Sequence, residues 1–344
     1  MSEALKEQWR DLFAAAEAFR ELGPWAWMDD SMVFGVADGN HGQIAWCCVL
    51  GLRGEVFGLA AYLGSAGLSI HSRIQVGELR AEDDEIRYGF PCLMVSFENR
   101  QGLEASDLAR IKSLGLTFRG RNGWPQFRSH RRGWYPWRLD GSEVVFFTEV
   151  LQQASAVCLR LRAEPQLLEP PRARELFVRV MAGDGGWTDQ WTKPVPSPVV
   201  PLQESVVDET EAARLKGSTA RQEGIWEADL FYVPTPTRES PGERPYYPVA
   251  MCWVDQHSGL SLGFELLEQA DDPDLKAWAL NKQLLELVKK HSMIPLAIHV
   301  PRRTLAAALE KVAAILGCEL SASKRLPALK ELKASLFQRF AGGR

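Results

Sequence analysis

Ile44-Ala-Trp-Cys-Cys-Val-Leu50 and Val249-Ala-Met-Cys-Trp-Val-Asp255 decide the reading of this chain. Each is a short apolar run of β-prone residues. A Gly-punctuated gap follows each one, Gly51-Leu-Arg-Gly54 or Gln256-His-Ser-Gly259, and then a second β-prone run at 56–63 or 260–267. Such pairs read as hairpins. Setting Ile44 on Val249 gives a gapless match at one offset: Ala45 with Ala250, Cys47 with Cys252, Val49 with Val254, Gly54 with Gly259 and Gly58 with Gly263. The expectation is two copies of a buried strand, a Gly turn and a second strand, with a glycine at the same place in each for a close backbone approach or a bulge. Upstream, Trp27 and Asp30 precede Phe34 and Val36, as Trp226 and Asp229 precede Phe231 and Val233, with the spacing two residues shorter in the second copy.

Working outward, apolar residues at 5, 9, 12, 13, 16 and 19 recur at helical spacing, and Gly23-Pro24 ends that helix. Position 32–36 reads as a strand, 65–76 as a helix, 92–97 as a strand, 106–114 as a helix capped by Ser106, and 142–162 as a helix capped by Ser142. In the second half 175–181 reads as a strand. The run Lys193-Pro-Val-Pro-Ser-Pro-Val-Val-Pro201 reads as an extended polyproline-type connector, because its prolines forbid an interior strand or helix. The acidic stretch 204–213 is expected to be mobile. Strands follow at 229–233, 249–254 and 260–267, then a helix at 273–291 capped by Asp271 or Asp272, a strand at 295–300, a helix at 304–316 closed by Gly317, a strand at 318–322 and a last helix at 327–340. The fold class is therefore α+β: two related modules, each a mixed sheet with helices packed on it. The expected organisation is an N-terminal module at 1–165, a strand plus proline-rich connector at 166–224, and a C-terminal module at 225–344.

The 344 residues exceed what one hydrophobic core usually serves, and 46% hydrophobic with 24% charged residues is ordinary globular composition. A net charge of -4 argues against a chain that coats nucleic acid over its whole surface, so a polyanion site must be local. Six cysteines sit mostly in apolar runs without a C-x-x-C pair, and Cys47 and Cys48 point to opposite sides of a strand, so reduced core thiols are expected. No run approaches the ~18 apolar residues of a membrane span. The expectation is a soluble, cytoplasmic protein with no membrane contact and no cofactor.

Two places could carry chemistry. Asp255 ends an apolar strand and leads into a hairpin, an arrangement similar to the ribonuclease-H-like superfamily, where such a carboxylate helps to hold Mg2+. The order of elements from 249 to 340 resembles that fold. A working site needs two or three converging carboxylates, and Glu265, Glu268 or Asp274 would have to be brought near by folding. The next strand instead reads Ile298-His-Val-Pro-Arg-Arg303, with bases where a second acid is wanted, which suits a degenerate relative. The commonest role for a hairpin Asp is capping backbone amides. The second place is 118–138, where Arg119, Arg121, Arg128, Arg131 and Arg132 interleave with Trp124, Trp134 and Trp137, and where 108–139 holds no Asp or Glu. Charge for phosphates and flat rings for unpaired bases is what single-stranded nucleic acid binding requires. The competing reading is an aromatic loop pinned to a core. The histidines at 41, 71, 130, 257, 291 and 299 show no ligand spacing, so no zinc site is implied.

The blocks 22–36, 46–64, 127–137 and 252–268 resemble a group of uncharacterised bacterial proteins that combine two domains of unknown function. That resemblance spans nearly the whole chain and implies a bacterial, cytoplasmic, two-domain protein; it brings no activity and no functional residue. The expected function is that of a non-enzymatic binding or accessory protein that contacts single-stranded nucleic acid, another polyanion or a protein partner through 118–138. The alternatives are metal-dependent phosphodiester cleavage at Asp255 and a purely structural interaction module.

Overall fold

Cys47 and Cys48 show how the first sheet is built: Cys47 joins the core on one face and Cys48 the core on the other, as alternation along a strand requires. The computed structural model describes residues 5–37, 43–196, 208–219 and 221–342. It divides into two compact units, Met1–Arg131 with Pro136–Pro198, and Arg132–Tyr135 with Val199–Arg344.

In chain order the first unit contains α1 (Lys6–Leu22), β1 (Val33–Ala37), β2 (Ile44–Leu50), β3 (Gly58–Leu63), α2 (Gly64–Gln75), α3 (Asp84–Arg87), β4 (Cys92–Glu98), α4 (Ala105–Ser113), β5 (Trp124–His130), α5 (Gly141–Ala163), β6 (Leu176–Met181) and β7 (Trp187–Thr192). Its sheet runs β5-β4-β3-β2-β1-β6-β7. Neighbours are antiparallel except β6, which lies parallel to β1. The apolar stripe of α1 (Leu12, Phe13, Ala16, Phe19) and that of α5 (Val144, Phe147, Leu151) close over Phe34, Val36, Cys47 and Val95. On the other face Leu68 and Ile70 of α2 cover Trp46, Cys48, Ala60 and Tyr62. By length and composition α5 could cross a membrane; half of it is buried in this core.

The second unit contains α6 (Glu209–Ser218), β8 (Ile225–Tyr232), β9 (Val249–Asp255), β10 (Ser261–Leu267), α7 (Trp278–His291), β11 (Ala297–Val300), α8 (Arg303–Leu316), β12 (Glu319–Ala322) and α9 (Pro327–Gly342). Its sheet runs β10-β9-β8-β11-β12, with β8, β9 and β10 antiparallel and with β11 parallel to both β8 and β12. Leu326, Leu329, Leu332 and Phe337 of the α9 region pack on Phe231, Ala250, Cys252 and Val254. The architecture is α+β with two mixed sheets, each packed with helices.

The two sheets share a path: an antiparallel trio ordered third-second-first, then a strand parallel to the first, as β3-β2-β1-β6 and as β10-β9-β8-β11. The residue match of the sequence does not survive in the ladders. Cys47 lies opposite Phe34 and Cys252 opposite Asp229, so Asp229, not Phe231, holds the position of Phe34. Gly58 pairs with Leu50, whereas Gly263 pairs with Trp253. The turns differ in length, 51–57 against 256–260, and a register shift lies between Ser261 and Gly263. A constant spacing in sequence thus becomes a changed spacing in space.

Other local readings shift. Residues 124–130 form a strand although Pro125 interrupts the pattern, because β5 is an edge strand and one missing N–H costs the sheet little there. Asp140, not Ser142, caps α5, accepting the Glu143 N–H at 3.0 Å, and Glu104 with Asp107 opens α4 in place of Ser106. Within the acidic stretch 204–213, residues from Glu209 are helical behind an Asp208 cap, and residues 204–207 lie outside the described residues, as do 197–201 of the proline run. The described cysteines are free thiols, and burial pushes those of Cys48, Cys158 and Cys252 up to about 12, which keeps them protonated near neutral pH.

Candidate polyanion interface and the carboxylates of the second sheet

In β5 the side chains alternate, with Pro125, Phe127 and Ser129 buried and Trp124, Gln126, Arg128 and His130 half-buried. The acids missing between 108 and 139 are supplied from just outside it. Arg128 forks onto Asp107, Nη1 to Oδ1 at 2.9 Å and Nη2 to Oδ2 at 2.8 Å, and also reaches Glu104 at 3.1 Å. Arg131 donates to Glu143 at 2.7 Å and to Asp140 at 3.1 Å. Burial pulls both guanidinium pKa values down, and the paired carboxylates more than reverse it, leaving both raised. These two arginines are committed to the helix ends of α4 and α5.

The remaining expected residues separate. Trp137 is tied by backbone hydrogen bonds to Ser129, 2.7 and 3.0 Å, with Arg138 5.6 Å from its ring centroid. Arg132 and Trp134 belong to the second unit, where Arg132 meets Asp272 at 3.5 Å and Trp134 sits edge-on to Tyr246 at 6.0 Å. Arg119 and Arg121 are exposed on the turn before β5, which Gly120 and Asn122 shape with φ of +86° and +52° and which the Asn99 side chain holds by accepting the Asn122 N–H at 3.2 Å. At the foot of that turn Trp124 leans on the first core through Phe118, and Arg100 lies 5.8 Å from its ring centroid. Arg100, Arg119, Arg121 and Trp124 therefore share one end of the β4–β5 pair, with Glu98 as the acid beside them in the ladder.

Asp255 caps its own turn. Its Oδ1 accepts the Ser258 N–H at 2.8 Å and the Ser258 hydroxyl at 2.7 Å. Burial raises its pKa, and these hydrogen bonds outweigh that and hold it below the usual carboxylate value. The convergence on it that the metal-dependent alternative requires is not found: Glu265 meets Gln283 at 3.5 Å, Glu268 is exposed, and Asp274 holds Arg302. No group of three His, Cys, Asp or Glu side chains among the described residues is placed to hold a metal ion.

The carboxylates that matter structurally are on β8. Glu227 and Asp229 are 0% and 1% exposed, and lie two apart on the face that α9 covers. Asp229 Oδ1 accepts the Leu230 N–H at 2.7 Å and forms an ion pair with Arg302 Nη2 at 3.0 Å, and its Oδ2 accepts from Lys333 of α9. Arg302, just past β11, also donates through Nε and Nη2 to Asp274 at 3.0 and 2.7 Å and to the Leu230 carbonyl at 2.8 Å, while Thr304 donates to Asp274 Oδ2. Glu227 Oε2 accepts the Leu329 N–H at 2.8 Å, so a sheet carboxylate caps the first turn of α9. The sequence did carry a signal: Ile225-Trp-Glu-Ala-Asp-Leu-Phe-Tyr232 sets two acids at i and i+2 in an apolar strand, and a buried acid must find partners.

Burial raises the Glu227 pKa, with the Leu329 amide and then His299, its neighbour in the β8–β11 ladder, countering only part of the effect. The folded chain thus keeps the proton where the unfolded chain has lost it, and this residue's contribution to stability falls as pH rises through that window. Glu227→Gln is expected to unfold at nearly the wild-type urea midpoint near about pH 4 and at a higher midpoint than wild type near about pH 8. A gap that is the same at both pH values would assign the effect elsewhere.

Residues 9–179 match the family model described as a domain of unknown function (DUF7309), and residues 211–337 match a second one (DUF6930). The chain combines two domains of unknown function. The first contains Arg119, Arg121, Trp124, Arg128 and Arg131, and the second contains the Asp229 cluster up to Lys333. No curated protein matches the chain. Among solved structures, a pre-cleavage Mos1 transpososome is 14% identical, covering 80% of this chain and 74% of that one at a TM-score of 0.23. The Mos1 mariner paired end complex with Mn is 15% identical, with 80% and 74% coverage and a TM-score of 0.25. The Mos1 strand transfer complex is 14% identical, with 80% and 70% coverage and a TM-score of 0.22.

Proposed function

We propose that the chain is a non-enzymatic binding protein that contacts single-stranded nucleic acid through the turn before β5. The observation that carries this reading is the grouping of exposed Arg119 and Arg121 with Trp124 and Arg100 at one end of the first sheet. Guanidinium groups there can take phosphates in forked pairs, and the indole gives an unpaired base a surface to stack on. Arg128 and Arg131 are left out because Asp107, Glu104, Asp140 and Glu143 already neutralise them. We read the second unit as ribonuclease-H-like in strand order, supported by β10-β9-β8-β11-β12 with its antiparallel trio and two parallel strands. Divalent metal chemistry does not fit the residues it offers: each oxygen of Asp229 and Asp274 already accepts from Arg302, Lys333, Thr304 or an amide.

The test is fluorescence anisotropy with a labelled oligothymidylate over a range of salt. Binding is expected to weaken linearly in log–log form, with the slope falling by roughly 0.7 for each of Arg119→Ala and Arg121→Ala, the single-strand value per phosphate contact. Arg131→Ala is expected to leave the slope unchanged. Absence of binding at low salt, or equal losses for all three variants, would end the reading.

A further inference from the structure

We propose that Arg302 and Lys333 are tethered replacements for a divalent cation, and that α9 is the element that keeps one of them in place. Buried carboxylates gathered on a central strand need a positive charge between them. Here Asp229 and Asp274 converge on one guanidinium from the end of β11, and the other oxygen of Asp229 is filled from α9 by Lys333, whose ammonium lies 4.2 Å from the Phe231 ring centroid. A third carboxylate, Glu227, stands two residues away on the same strand and face. Its Oε1 is fully buried and has no hydrogen-bond partner among the described residues, one carboxyl oxygen on this face that neither of the two fixed cations uses. Those are the donors a hard divalent ion would choose, oxygen ligands only, and what excludes the ion is occupancy by side chains that cannot dissociate.

The claim is independent of the nucleic-acid reading, since it concerns other residues on the other unit. It also gives α9 a role: the helix is fastened at its first turn by Glu227 and one turn later by Lys333 on Asp229. Removing the two cations while keeping their volume should uncover an oxygen-lined cation site under the helix.

The experiment is a Mn2+ titration by calorimetry and thermal unfolding on wild type, Asp229→Asn, Arg302→Met/Lys333→Met, and that double variant with Asp229→Asn added. Wild type is expected to show no Mn2+ uptake at this site and no rise in Tm beyond that given by an ionic-strength control. The double variant is expected to take up about one Mn2+ per chain with a rise in Tm of several degrees, and the added Asp229→Asn to abolish both. Should the double variant be unfolded alone, Mn2+ is expected to restore its folded circular dichroism. Wild type that binds Mn2+ and loses it on Asp229→Asn overturns the proposal, as does a double variant that neither binds nor is restored.

Discussion

Gly58→Ala is expected to destabilise the first unit by about 3 kcal/mol or more, the upper range for overpacking a core. Gly58 pairs with Leu50 on one side and Ser96 on the other, and a Cβ there would lie 2.1 Å from the Val95 carbonyl oxygen and 3.2 Å from the Ser96 Cα. No side chain can swing aside; β3 and β4 would have to part, at the expense of ladder hydrogen bonds in the middle of the sheet. Gly263→Ala, the same letter at the same sequence offset, is expected to change stability by less than about 1 kcal/mol, because the nearest atoms to its Cβ would be the Leu287 methyls at 3.3 Å and the Gln283 side chain at 3.4 Å, side-chain ends that can give way. Urea unfolding of the two variants measures both. Equal losses would mean that the two glycines do the same job after all.

Asp229→Ala is expected to destabilise the second unit by about 3 kcal/mol, the low end for breaking a buried ion pair, since Arg302 keeps Asp274. Lys333 loses its carboxylate and is left against Phe231. The Leu230 N–H, buried in the sheet, loses an acceptor as well. Guanidinium chloride unfolding followed by Trp226 and Trp253 fluorescence reads this unit, as both indoles lie fully buried in its sheet. A loss below about 1 kcal/mol would show the carboxylate to be solvated.

The strands and helices were legible wherever burial produced a clean period. The strand readings 44–50 and 249–254 match β2 and all but the last residue of β9, and the α+β class with two mixed sheets agrees with the structure. What was not legible came from pairing across distance. β5 hid behind Pro125, whose cost depends on edge position, which no local window contains. The stretch 108–139 looked uniformly basic because charge was read along the chain, while Arg128 and Arg131 find their acids at 104, 107, 140 and 143. Asp255 drew notice as an acid at a strand end, and it satisfies its own turn. The acids with structural consequence, Glu227 and Asp229, sit inside an apolar strand, where hydrophobic pattern reading treats a carboxylate as an interruption rather than as a partner sought by Lys333 more than a hundred residues away.

The Asp229→Asn, Lys333→Met double-mutant cycle, followed by urea unfolding, bears most directly on the cluster. If the lysine is the fixed counter-ion of the carboxylate, the two losses are expected to couple by about 1.5 kcal/mol or more, so that the double variant is much less damaged than the sum of the singles. Losses that add to within about 0.5 kcal/mol would contradict the account.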